Sequence, residues 1–189
     1  DCLLRRADWI RSSNQGRLSN DQRKDVLDTV NRARTLAPDQ YRVWHTWAVT
    51  NYDQLNVNLN MNELVSGGMP SPPDAKGTHR RGSHGDTTTY AIEAIRGFSR
   101  SMTLGGKQGV NNLLGDTLRL LTLWFSYGTK QGVYDVLAEE LKNVAPENWL
   151  GVIPQLIARM HVRAPEISIL LQKLLIQVAI THPQALVCP

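Results

Sequence analysis

Residues 111–160 read NNLLGDTLRLLTLWFSYGTKQGVYDVLAEELKNVAPENWLGVIPQLIARM, and their apolar spacing points to one architecture. Leu114, Leu118, Leu121 and Phe125 recur at i, i+4, i+7 and i+11, the period of one helix face, which predicts a core face there. Leu113, Leu120, Trp124 and Tyr127 form a second apolar row on the same helix, so it needs cover on two sides, as in a stacked array. Val133, Val136, Leu137, Leu141 and Val144 mark the next helix, and Trp149, Val152, Leu156 and Met160 the one after. Gly128 and Gly132 give the chain freedom to leave one rod and enter another, and Ala145-Pro146 stops the second. Short links between rods predict antiparallel neighbours, and hence an all-α helical-repeat solenoid.

The flanks extend the pattern. Leu3, Leu4, Ala7, Trp9 and Ile10 read as the final turns of a helix, and Ser19 with Gln22 forms a capping box that starts another, carrying Val26, Val30, Ala33 and Ala37 on one face. In ARTLAPDQYRVWHTWAVTNY, residues 33–52, small residues, Pro38, Trp44 and Ala48 fall at the offsets of a tetratricopeptide junction, with Asn51 where that repeat carries an aromatic. Between Asn56 and Thr89 the composition turns to Gly, Pro, Ser, Asn and Thr, too poor in large apolar groups to offset chain entropy, which predicts a disordered loop. Ala91, Ile95, Phe98 and Met102 then resume helical spacing, with Gly105-Gly106 expected to close that helix. Pro154 is expected to bend the helix that contains Trp149, a HEAT-like feature, and Pro165 to open a helix carrying Ile167, Leu170, Leu171, Leu174, Leu175 and Val178 that His182-Pro183 ends. The resulting division is 1–55 tetratricopeptide-like, 56–89 a disordered insertion, and 90–189 HEAT-like helix pairs.

Composition bounds the function. No run approaches the roughly 18 to 20 consecutive apolar residues of a membrane span, and no basic-then-apolar start resembles a signal peptide, so no membrane insertion is expected and a cytoplasmic protein is the default. The formal net charge of +4 is spread along the helices with acidic residues interleaved, and only His79-Arg80-Arg81 is dense, which argues against nucleic acid as a partner. Cys2 and Cys188 lie at opposite ends without CxxC spacing, against both a disulfide framework and a zinc site. The chain starts at Asp1 inside a helical pattern and reads as an excerpt of a longer one.

No motif for phosphoryl transfer is present: there is no Gly-rich strand-turn-helix loop, no His-Arg-Asp catalytic loop and no Asp-Phe-Gly magnesium motif. Gly105-Gly106-Lys107 lacks the upstream glycine of a P-loop. The histidines are scattered, which argues against a metal site, and His45, between Trp44 and Trp47, reads as a packed or capped side chain at the core's edge. In the loop, Ser71-Pro72 is a proline-directed phosphorylation pattern and Arg80-Arg81-Gly82-Ser83 a basophilic one, making Ser71 and Ser83 candidate modification sites.

The literal strings DTLRLLTLWFSYG, NWLGVIPQLIARM and THPQAL resemble the end of the FAT region in target-of-rapamycin (TOR) kinases, members of the PI3K-related kinase family. The likeness is strong over 111–186, good over 38–55 and weak over 1–37. It implies a non-catalytic scaffold that braces and restrains a downstream kinase domain in nutrient and growth signalling. It also implies TOR-complex subunits as partners, a cytoplasmic location with endomembrane association through them, and a rapamycin-binding domain shortly beyond the segment. ATP and magnesium would belong to the parent's serine/threonine kinase domain. RRADW and YRVWHTW align with segments where TOR proteins carry lysines that help bind inositol hexakisphosphate, so Arg5 and Arg42 are the implied contacts, with a planar guanidinium replacing an ammonium. A free-standing repeat adaptor that binds peptides, or the FAT segment of a DNA-damage kinase, are the competing readings. The former would explain the helices without the literal match, and the latter should match THPQAL and LRLLTLWF less closely.

Overall fold

A computed structural model describes residues 2–13, 18–66, 84–110 and 113–187, with side chains placed except at 59–66 and 84–86. The chain runs α1 (Cys2–Ser13), α2 (Asn20–Leu36), α3 (Tyr41–Ser66), α4 (His84–Lys107), α5 (Leu114–Tyr127) and α6 (Gln131–Glu140). Short 3₁₀ segments at Leu141–Asn143 and Pro146–Val152 follow, then α7 (Ile153–Ala158), α8 (Pro165–Thr181) and α9 (Gln184–Val187). No strand occurs among the described residues, and the all-α architecture holds.

Local chemistry sets the starts and stops. The Ser19 hydroxyl accepts from the Gln22 amide at 3.3 Å while the Gln22 side chain accepts from the Ser19 amide at 3.0 Å, closing the expected capping box. Pro165 sits in the first turn of α8, where its missing N–H costs nothing, and the His182 amide closes α8 on the Val178 carbonyl at 2.7 Å before Pro183.

The longest seam is α3 against α4, which run antiparallel: Tyr41 lies by Gly105 and Ala48 by Gly97. A β-carbon on Gly97 would stand 2.7 Å from the Ala48 β-carbon, so this close approach requires glycine. From this seam one apolar core continues through α5, α6 and the Trp149 segment to α8, with Phe98, Leu120, Leu123, Trp124, Trp149, Leu156 and Leu171 fully buried. Trp124 and Trp149 meet edge to face, with centroids 6.5 Å apart. Smaller clusters, Ala7–Val26–Val30–Trp47 and Leu4–Ala33–Val43, fasten α1 and α2 to α3.

Several expectations are corrected. On α5 the row Leu114–Leu118 is not the core face: these two are 47% and 39% exposed, while Leu120, Leu121, Leu123, Trp124 and Tyr127 are buried. The i, i+3, i+4, i+7 wedge around Trp124 wins because α4 and Trp149 cover that side. Trp9 and Met160, assigned to apolar rows, stand 69% and 44% exposed. Pro154 does not bend a continuous helix, because a 3₁₀ segment ends at Val152 and α7 begins at Ile153 with Pro154 in its first turn. Gly105-Gly106 does not close α4. The helix runs to Lys107 and turns at Gly109 with φ of +68°, and Gly105 instead makes room for Leu113, which would lie 2.6 Å from a β-carbon there.

The α6 rod stops at Glu140, so Leu141 and Val144 follow it rather than extend it. Helix also reaches into both ends of the stretch 56–89, to Ser66 and from His84. Asn costs a helix only a few tenths of a kcal/mol more than an ordinary polar residue, so polar composition alone does not end α3.

No described helix is long and apolar enough to cross a membrane.

Candidate functional site

Asp116 is a buried carboxylate with partners on three helices. It sits in the first turn of α5, where a carboxylate favours the positive end of the helix dipole, yet it is 2% exposed. Its oxygens accept from the Ser101 hydroxyl of α4 at 2.7 Å and from His45 Nδ1 of α3 at 2.9 Å, and Arg119 approaches to 3.8 Å. An ionised carboxylate only accepts, so Nδ1 carries the hydrogen and Nε2 is left for solvent. Tyr41 packs on the His45 ring with centroids 5.5 Å apart. Burial, then the Asp116 charge, raises the Tyr41 phenol above its ordinary range.

Ser, Asp and His are thus neighbours, but the order is wrong for nucleophilic catalysis. The carboxylate stands in the middle, whereas an activated serine needs the imidazole there to take its proton. Ser101 is fully buried and out of a substrate's reach. The geometry ties α3, α4 and α5 together.

A second knot joins α2, α3 and α4. The Arg34 guanidinium lies 4.4 Å from the Trp47 ring centroid and 5.4 Å from that of Trp44, and donates to Glu93 at 3.2 Å. Glu93 also accepts from the Trp47 indole at 3.3 Å and from Arg96 at 3.0 Å. The Trp44 indole closes the α2–α3 turn on the Pro38 carbonyl at 2.6 Å. Where α1 ends, Arg11 pairs with Asp53 of α3 at 2.6 Å. Burial raises the Asp53 carboxyl above its ordinary value by more than the Arg11 charge lowers it.

Arg5 and Arg42 are exposed on α1 and α3. Their sequence neighbours Leu4 and Val43 meet in one cluster with Ala33, so both arginines flank the same seam, and neither forms an ion pair among the described residues. Ser71 and Ser83 lie outside the described residues. Sequence reading placed His45 at the core's edge and missed Asp116 and Ser101. The local signal was the acidic residue in α5's first turn, but its partners stand 71 and 15 positions away. No cluster of His, Cys, Asp and Glu suited to a metal occurs among the described residues.

The sequence family described as the FAT domain matches residues 1–122. The match begins where the literal strings were weakest. Over its whole length the chain is 35% identical to the serine/threonine-protein kinase mTor of Drosophila melanogaster, covering 7% of that protein. It is 32% identical to the serine/threonine-protein kinase tor1 of Schizosaccharomyces pombe, over 98% of this chain and 7% of that one. The serine/threonine-protein kinase ATR of Arabidopsis thaliana is 24% identical over 96% of this chain and 7% of its own. The chain therefore spans a small fraction of the relatives it matches.

Proposed function

The chain belongs to the FAT domain family, and on that footing we propose that it is a non-catalytic helical scaffold of a TOR-type serine/threonine kinase, bracing and restraining the kinase domain of the same polypeptide in nutrient and growth signalling. One observation carries the reading. The buried Asp116 and Ser101 and the half-buried His45 are spent on fastening three helices, and the core runs unbroken from α3 to α8. Such a body transmits position, since close-packed interiors deform little. Identity to TOR kinases above that to ATR favours the TOR-type parent, and whole-length likeness to kinases speaks against a free-standing adaptor.

The test is to place Gly97→Ala, which wedges α3 from α4, into the intact parent kinase and measure phosphoryl transfer at saturating ATP. A changed rate with an unchanged affinity for ATP is expected. An unaltered rate in a protein whose segment is demonstrably loosened overturns the reading.

The same scaffold holds inositol hexakisphosphate at Arg5 and Arg42. Their shared seam, their exposure and the lack of ion-pair partners among the described residues support this, because like charges on neighbouring helices gain from a polyanion between them. Ser71 and Ser83 remain proposed sites of regulatory phosphorylation.

A further inference from the structure

Trp149 lies in an uncommon piece of backbone. Pro146–Val152 is a 3₁₀ helix of seven residues, and α7 follows it directly at Ile153. Such runs seldom exceed about four residues, because i→i+3 hydrogen bonds are poorly aligned and side chains three apart eclipse one another. Pro154 supplies the cause. Were Pro146–Ala158 a single α-helix, the Pro154 ring would press on the Leu150 carbonyl and no N–H would reach that oxygen. The 3₁₀ run lets α7 begin afresh with Pro154 in its first turn.

The core around this run carries a second mark. The indoles of Trp149 and Trp124 pack edge to face with centroids 6.5 Å apart, both are fully buried, and neither N–H meets an acceptor among the described residues. A buried donor without a partner forfeits the hydrogen bond it made in water, so the present packing holds these two rings at a cost that an arrangement with an acceptor would remove. The run is also placed to pass movement on. It packs on α5 and α8, Glu147 near its start meets the His182 imidazole just past α8 at 3.3 Å, and upstream the Asn143 carbonyl accepts from the Thr103 hydroxyl of α4 at 3.1 Å.

We propose that Pro146–Ala158 is a two-state joint, in which the 3₁₀ run passes into α-helix, kinked at Pro154, and carries α8 with it relative to the body of α4, α5 and α6. Seven residues rise about 14 Å as 3₁₀ helix and about 10.5 Å as α-helix, so the passage shortens the run by roughly 3–4 Å and re-aims the Trp149 indole by the roughly 20° per residue that separates the two windings. The second state is a discrete repacking of helices and not a soft deformation. It stands whether or not the segment braces a kinase domain.

The test uses the intact kinase chain with spin labels at Asp135 of α6 and Gln172 of α8, both exposed. The distance between labels is measured by double electron–electron resonance, and amide exchange is followed over residues 148–156. Pro154→Ala restores an N–H and removes the ring, which favours one continuous α-helix. Gly151→Ala pushes the same way by helix propensity and carries the test if Pro154→Ala fails to fold; its β-carbon would meet only Leu114, at an ordinary 3.6 Å. In both variants a population displaced by about 3–4 Å should grow, and exchange over 148–156 should slow about fivefold as i→i+4 bonds replace i→i+3. A fixed 3₁₀ run gives the opposite sign for Pro154→Ala: losing the first-turn proline loosens the start of α7, so exchange quickens while the labels stay where they were. That result overturns the proposal, as does a label distance that neither variant changes.

Discussion

Asp116→Ala should loosen the junction of α3, α4 and α5, and the structure sets the size of the effect. The carboxylate holds short hydrogen bonds from Ser101 at 2.7 Å and His45 at 2.9 Å. Hydrogen bonds to a charged group contribute about 1.5–3 kcal/mol each, so their gross worth is about 3–6 kcal/mol. Both partners have a fallback. The Ser101 hydroxyl already reaches the Phe98 carbonyl at 2.9 Å, and the His45 side chain, 36% exposed, can turn to water. The variant also escapes the desolvation of a buried charge. We expect a net loss of about 2–3 kcal/mol, a fall in melting temperature of roughly 5–10 °C for a chain of this size. Asp116→Asn, which keeps the shape and one acceptor, should lose about half as much. Urea unfolding of the singles and of the pair with His45→Ala gives the coupling directly, expected at about 1–2 kcal/mol. A loss within about 0.5 kcal/mol, the range of an ordinary surface substitution, or no coupling with His45, would refute the assignment of Asp116 as the hub.

Gly97→Ala gains about 1 kcal/mol of helix propensity yet should destabilise by about 1–3 kcal/mol, because its β-carbon would lie 2.7 Å from that of Ala48; adding Ala48→Gly should restore part of the loss in thermal melts. Asp53 gives a pH dependence of known sign. Its raised carboxyl pKa means that the folded chain holds the proton more tightly than the unfolded one, so wild-type stability falls relative to Asp53→Asn as pH rises from below the ordinary value of 3.8, levelling once both states are ionised. Melting curves of the two proteins across this pH range check it, and a wild-type stability that rises relative to Asp53→Asn with increasing pH contradicts it. If inositol hexakisphosphate binds as proposed, it should raise the melting temperature of the intact FAT region and Arg5→Glu/Arg42→Glu should abolish that rise; a rise that the double variant leaves unchanged would remove these arginines from the proposed site.

Sequence discloses what local chemistry decides. Ser19 with Gln22 and Pro165 mark their helix starts because the groups that satisfy or lack the backbone partners lie within one turn. The core face of α5 was misread because two apolar rows overlap on that helix, and only the neighbours, α4 and Trp149, select the wedge around Trp124. Pro154 shows the same limit: its missing N–H is compatible with a bend or with a fresh helix, and the preceding 3₁₀ segment settles which. The network of His45, Ser101 and Asp116 was out of reach, since no periodicity links side chains on three helices. Arg5 and Arg42 are proposed through resemblance alone, and what the structure shows is that their sequence neighbours Leu4 and Val43 share a cluster with Ala33.

Hydrogen exchange across the kinase domain of the intact parent, compared between wild type and Gly97→Ala, tests most directly whether this segment braces that domain. The account predicts faster exchange in kinase-domain segments that pack on the helical array, alongside faster exchange in α3 and α4 themselves. Faster exchange confined to α3 and α4, with the kinase domain protected as before, would contradict it.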